Sequence, residues 1–208
     1  MDKELIQRAM PTKSEPSKND GCKSCATFKN LSPTISERLG NLPAEFLRNY
    51  PPRRANNIIA KGYSSGQVAL LADIPTLADV ETKFGNEIAV FWMKTLIDSV
   101  DMVLGVTAYP EEARNDIASL IVSSYKDMNI GEFLLFFARF KLGEYNGITT
   151  YTGGIQKIAV ALRHYKAMRD ADISRIYTAA YSREKEQERE RWAARAISYD
   201  EYLKTKDQ

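Results

Sequence analysis

Between Asn129 and Gly143 the chain places Phe133, Leu134, Phe136, Phe137 and Phe140 within eight positions. A surface helix carries its apolar residues on one stripe, whereas these project around most of the circumference and need neighbours on nearly every side. Asn129 is an N-cap residue and Glu132 stands three positions on, where it completes a capping box. Gly143 follows Leu142 at the place where a helix closes in the left-handed conformation. The stretch therefore predicts a helix at the centre of a helical core, around which the rest of the chain must be arranged.

The flanking sequence supplies the other helices. Thr76 with Asp79 opens a short helix that Gly85 ends, and Asn86 caps a longer one carrying Ile88, Phe91, Trp92, Leu96, Val100 and Val103 as a broad buried stripe up to Gly105. Pro110-Glu111-Glu112 is a helix start with negative charge at the positive dipole end, and Ile117, Leu120, Ile121 and Ser124 continue one face to about Tyr125. A helix starting near Gly154 carries Ile155, Ile158, Ala159, Leu162 and Tyr165 on one side. A long helix is expected from about Asp172, with Ile173, Ile176, Tyr177, Ala180 and Tyr181 packing before EKEQERERW becomes almost wholly charged. Ser198 and Glu201 form a further capping box for a last short helix. No fixed-period repeat and no strand-like alternation is present.

The fold class that follows is all-α: a compact multi-helix bundle with a glycine- and tyrosine-rich loop or hairpin between two core helices. Its segments are a flexible arm over 1–30, short helices and a linker over 31–75, a core over 76–182 and a charged helical extension over 183–208. The linker is RRANNIIAKGYSSGQ, in which Arg53 and Arg54 can reach phosphate but are expected to be solvated. The arm is rich in Lys, Ser, Pro, Asn and Asp, a composition that does not offset its own ordering entropy.

With 208 residues, 44% of them hydrophobic, the chain can bury a real core. Its 29 basic and 27 acidic residues leave a formal charge of +2, so attraction to nucleic acid or a membrane surface must come from a local patch. No apolar run reaches the roughly 20 residues needed to span a bilayer, and the N-terminus lacks the apolar segment of a signal peptide; a cytoplasmic protein with no membrane partner is expected. The two cysteines, Cys22 and Cys25, stand in GCKSC. They are readable as two incidental thiols, half of a zinc site shared between chains or completed by a partner, or a redox pair. No metal or cofactor is predicted.

Between the central helix and its successor lies GEYNGITTYTGG, with four glycines and two tyrosines. No Gly-Lys-Ser/Thr follows and no strand precedes it, so it is neither a Walker loop nor a dinucleotide fingerprint. Asn146-Gly147 can turn a short two-stranded excursion. In one reading Tyr145 and Tyr151 fold back over the core. In the other they stand exposed among cations, because residues 133–169 hold six basic side chains against one acidic, Glu144. Basic groups interleaved with tyrosines hold phosphates and stack bases. The candidate nucleic-acid-binding residues are Arg139, Lys141, Tyr145, Tyr151, Lys157 and Arg163. Arg169 falls on the apolar side of its helix and is expected to pair with a carboxylate or snorkel.

FFARFKLGEYNGITTYTGGIQKIAVALRHYKAMRD also resembles a motif of an uncharacterised family of small helical proteins carried by gut anaerobes and by their phages and mobile elements. The matching positions are Arg139, Phe140, Lys141, Gly143, Tyr145, Gly147, Tyr151, Gly153, Leu162, Arg163 and Arg169, and the resemblance extends to the Lys83-Phe84-Gly85 turn. Glu144 stands where the family has a basic residue, and Asn146 enlarges the first turn. The resemblance implies no established activity; its setting in mobile DNA implies a replication or genome-handling accessory.

No nucleophile with a base, paired carboxylates or metal cluster stands out for catalysis. His164 is the only histidine, and Glu111-Glu112 and Asp98-Asp101 fit helix starts and solvated faces. Two readings of different class remain. One is a non-enzymatic DNA- or RNA-associated accessory, such as a replication or helicase-loading adaptor. The other is a protein-interaction or assembly adaptor that recruits a partner through the N-terminal arm or the charged C-terminal helix.

Overall fold

The computed structural model describes residues 31–104, 109–147, 155–196 and Tyr202, and they are all-α. The helices are α1 (Pro33–Leu39), α2 (Pro43–Asn49), α3 (Ala55–Ala60), α4 (Ser65–Ala69), α5 (Leu77–Phe84), α6 (Asn86–Leu104), α7 (Glu111–Ser124), α8 (Ile130–Lys141) and α9 (Gln156–Arg195), with one 3-10 turn at Pro52–Arg54. The only extended pairing among the described residues is an isolated bridge between Thr76 and Asn129. No helix among them is long and apolar enough to cross a membrane. The arm over 1–30, Cys22 and Cys25, Tyr151 with the loop over 148–154, and the helix start over 198–201 lie outside the described residues.

At the centre is α8. Every residue from Ile130 to Ala138 is buried, because α3, α4, α6 and α9 all pack on it. Its N-terminus is held as the sequence predicts. The Asn129 side chain accepts from the Glu132 amide at 2.9 Å, and the Glu132 carboxylate accepts from the Asn129 amide at 2.9 Å. A second capping box, Thr76 with Asp79, abuts it, and Ile130 N–H donates to the Pro75 carbonyl at 2.9 Å while Leu77 N–H donates to that of Met128 at 3.1 Å. Two helix starts are thereby locked side by side, each with a carboxylate in its first turn to oppose the paired positive dipole ends. At the other end Gly143 adopts φ +80°, the left-handed conformation that favours glycine.

The division at residue 76 does not describe the packing. Leu39, Phe46, Tyr50 and Val68 belong to the same buried cluster as Trp92 and Phe133. Trp92 donates its indole N–H to the Tyr50 carbonyl at 2.8 Å, and the Lys83 ammonium reaches the Ser36 carbonyl at 2.7 Å. The stretch expected as a linker holds the 3-10 turn, α3 and α4. The reason is Gly66: a β-carbon there would stand 2.9 Å from the backbone nitrogen of Ile173, so only glycine lets α4 lie directly on α9. Gly66 N–H donates to the Asp172 carboxylate at 2.8 Å across that contact.

Three stripes need correction. On α6 the buried apolar side chains are Ala89, Trp92, Met93, Leu96, Ile97 and Val100 among the described residues, while Phe91 is exposed; on α7 they are Ala118, Ile121 and Val122, while Leu120 is exposed. On α9 Ala180 is buried but Tyr177 and Tyr181 are exposed. In each case periodicity marks a broad face and the neighbouring helix covers only part of it. Nor do Asp98 and Asp101 share a solvated face. Asp98 accepts from Arg114 at 2.5 Å, and Asp101 is buried with neither carboxylate oxygen accepting a hydrogen bond among the described residues.

The helix near Gly154 and the one expected at Asp172 are one continuous helix of 40 residues, since nothing between Lys166 and Asp172 interrupts it. Its first half packs against α4 and α8. Its end, residues 181–195, is exposed at every position.

Candidate functional site

The predicted site lies where α8 leaves the core and α9 returns. Residues 142–147 form consecutive turns, with Glu144 N–H donating to the Arg139 carbonyl and Asn146 N–H to that of Gly143. Tyr145 is turned inward. It is 5% exposed, its ring 5.5 Å from Phe136, 6.3 Å from Phe140 and 6.4 Å from the His164 ring. Burial pushes its hydroxyl up to about 12, against the opposing pull of Arg139. Tyr145 is therefore a core residue and offers no face on which a base could stack. Tyr151 lies outside the described residues.

The cations do not assemble into one surface. Arg139 donates to the Ser65 hydroxyl at 2.8 Å and lies 3.6 Å from the Glu144 carboxylate. Lys141 is half-buried, and desolvation lowers its ammonium below the ordinary lysine range. Lys157 and Arg163 are exposed. Six positions along a helix turn them about 120° apart around its axis, so they face different directions. Lys166 lies between Asp127 at 3.5 Å and Asp170 at 3.6 Å. Arg169 is inside, as its wheel position predicts, with its Nε 2.5 Å from the Glu132 carboxylate. Part of the apparent excess of positive charge over 133–169 has a simple origin: Asp127, Glu132 and Asp170, which pair with Lys166 and Arg169, lie just outside that stretch of sequence.

Sequence reading passed over a second place. A cleft of about 580 Å³ opens beside α1, α2 and α3, lined among the described residues by Arg38, Arg54 and Lys61 against one carboxylate, Asp73, with Tyr50 and Tyr63 in its walls. Arg38 pairs with Asp73. Arg54 donates to the Asn49 carbonyl, and its guanidinium carbon lies 4.9 Å from the Tyr50 ring centre; the Lys61 ammonium is 5.8 Å from that of Tyr63. Burial raises the Tyr50 phenol, with Arg54 and Arg38 pulling it back. The available signal was the Arg53-Arg54 pair, set aside with the linker.

Comparison with protein-family models, curated proteins and solved structures gave no match.

Proposed function

We propose that the chain is a non-enzymatic assembly adaptor, a helical core that presents the projecting end of α9 to a protein partner. The observation that carries this reading is that helix end: fifteen successive exposed residues, 181–195, continuous with a helix whose first half is built into the core. By its rise it extends about 22 Å. Its charges nearly cancel, five basic against four acidic, so it offers no net attraction to a polyanion. A replication or helicase-loading adaptor of a phage or mobile element is the concrete form the family resemblance suggests. The test is a photo-crosslinking residue in place of Glu188 of the full chain in its native cell. A discrete protein adduct is expected; a nucleic-acid adduct, or none, removes the reading.

Nucleic-acid association is the second reading, and the cleft favours it, because three cations face one carboxylate there beside two tyrosines. It expects single-stranded DNA binding that weakens steeply with salt and falls at least about tenfold in an Arg38→Ala, Arg54→Ala, Lys61→Ala variant. The Arg139→Ala, Lys141→Ala, Lys157→Ala, Arg163→Ala variant is expected to bind as the parent does. A salt-series titration of the three proteins decides it.

A further inference from the structure

Within the cleft beside α1, α2 and α3, Arg38 is matched by Asp73. Arg54 and Lys61 line the same cleft and form no ion pair among the described residues. Glu37 lines an adjoining hollow together with Arg38 and Arg54 and pairs with neither. Two positive charges are therefore left over. A carboxylate, or a phosphodiester within a strand, brings one negative charge, whereas a terminal phosphate monoester brings about 1.5 to 2 at neutral pH. We propose that the cleft takes the 5′-monophosphate end of a nucleotide, with Arg54 and Lys61 on the phosphate and the base against Tyr63.

The backbone of α3 sets the two cations up as a pair. Arg54, Ile58 and Lys61 are spaced four and three, and Arg54 and Lys61 at the two ends both keep helical backbone angles, so the three side chains leave one face of the helix. Seven residues rise about 10.5 Å, a gap that two long side chains close over Ile58. Arg54 is already held, because it donates to the Asn49 carbonyl and its guanidinium lies over the Tyr50 ring. That bond uses one of the five N–H donors of the guanidinium and leaves the others for a phosphate. Lys61 is exposed and its ammonium makes no hydrogen bond among the described residues, so its stem is free to swing inward.

A phosphate alone does not account for the rest of the cleft. Its volume of about 580 Å³ lies within the roughly 300–1,000 Å³ of sites for one small molecule. Sites that follow a strand take about 4–16 nucleotides along a groove of cations, whereas these three cations stand round one hollow. Ile58, Ile74 and Leu134 make part of its lining apolar. Tyr50 is packed away at 6% exposure, so its ring supports Arg54 and offers no face of its own. Tyr63 is half-buried, and its ring and the guanidinium plane of Arg54 are flat surfaces of the kind on which bases stack. Asn57 in the same wall supplies a donor and an acceptor for a base edge or a ribose hydroxyl.

This inference deepens the second reading and rests on its choice of the cleft as the anion site; the adaptor reading does not depend on it. The test is calorimetric titration of the full chain with AMP, adenosine, ribose 5-phosphate and inorganic phosphate, and with a short single DNA strand carrying a 5′-phosphate or a 5′-hydroxyl. AMP is expected to bind at least about fivefold more tightly than each of the other three small molecules, since each lacks the phosphate or the base. Lys61→Ala removes an exposed side chain that holds nothing in the fold, and is expected to weaken AMP at least about fivefold. Arg54→Lys keeps the charge and loses the flat fork, so it is expected to weaken AMP more than inorganic phosphate. A 5′-phosphate that strengthens the strand by a similar factor makes a strand end the source, and both the inference and the nucleic-acid reading hold. If AMP binds and neither strand does, the source is free nucleotide; the inference stands and the nucleic-acid reading fails. If both strands bind alike and AMP does not bind, the inference is overturned and the reading stands. No binding of any probe at millimolar concentration overturns both. An AMP affinity no better than that of inorganic phosphate, or one unchanged in Lys61→Ala, also overturns the inference.

Discussion

Replacing Arg169 with alanine is expected to lower folding stability by about 3–5 kcal/mol at neutral pH, the usual cost of leaving one member of a buried ion pair without the other. Glu132 is fully buried, and its carboxylate is held by the Asn129 amide and the Arg169 guanidinium. Burial pushes the Glu132 carboxyl above the usual carboxylate range, with the Asn129 hydrogen bond and then Arg169 opposing it. Without Arg169 the shift grows. A carboxyl whose folded value is raised contributes stability that is present at low pH and lost as pH climbs from its unfolded value, about 4.3, through the folded one. The cost of Arg169→Ala should therefore increase with pH between the parent's folded value and the variant's higher one, by up to about 1.4 kcal/mol per unit. Urea denaturation of the parent and the variant at pH 5 and pH 8 measures it. A loss under about 1 kcal/mol, or one that does not change with pH, would mean the pair is not holding the α8 start against α9.

The second large effect belongs to Phe136→Ala. Phe136 is fully buried, and its ring lies 5.0 Å from that of Phe137, 5.9 Å from Phe140, 5.5 Å from Tyr145 and 5.7 Å from Tyr165. The rings meet at tilted or edge-on angles, which the aromatic quadrupole favours. Truncation removes the shared neighbour of four aromatic side chains and leaves a cavity, for an expected loss of about 3–5 kcal/mol. Against a total stability on the order of 5–15 kcal/mol, the variant stands near the limit of folding. Thermal unfolding followed at the aromatic signals would show it; a fall in Tm of only a degree or two would say that the cluster collapses into the space without cost.

How much of this was legible in the sequence depends on the range of the forces involved. The limits of α8 were readable because Asn129, Glu132 and Gly143 act within a turn of themselves, and its central place followed from side chains that point in every direction. Arg169 was half readable: its wheel position placed it inside, but its partner stands 37 residues away, where periodicity says nothing. The exposure of Phe91 and Leu120 is set by where α6 and α7 cross their neighbours, a tertiary matter. α4 carries a local signal, the Ser64–Gln67 capping box, but its five residues are too few for periodicity and Gly66 reads as a loop residue until it meets α9. The candidate site was legible as a set of residues but not as a surface. Charge was counted over 133–169, but Asp127 and Glu132 reach Lys166 and Arg169 through space, and Asp170 stands one residue beyond the counted stretch. Tyr145 went inward because Phe136 and Phe140 gave it rings to rest on.

The hydrogen bond from Gly66 to Asp172 joins residues 106 positions apart and closes α4 against α9. Synthesis runs from the N-terminus, so α1 to α8 are made before the residues that complete this contact. Until α9 arrives, Phe136 lacks Tyr165 and Glu132 lacks its counterion. Loop-closure entropy must be met before that late contact returns anything, so α9 is expected to dock late in folding. A chain arrested before residue 172 therefore keeps its most aromatic helix partly unclad, the kind of surface that aggregates or recruits chaperones.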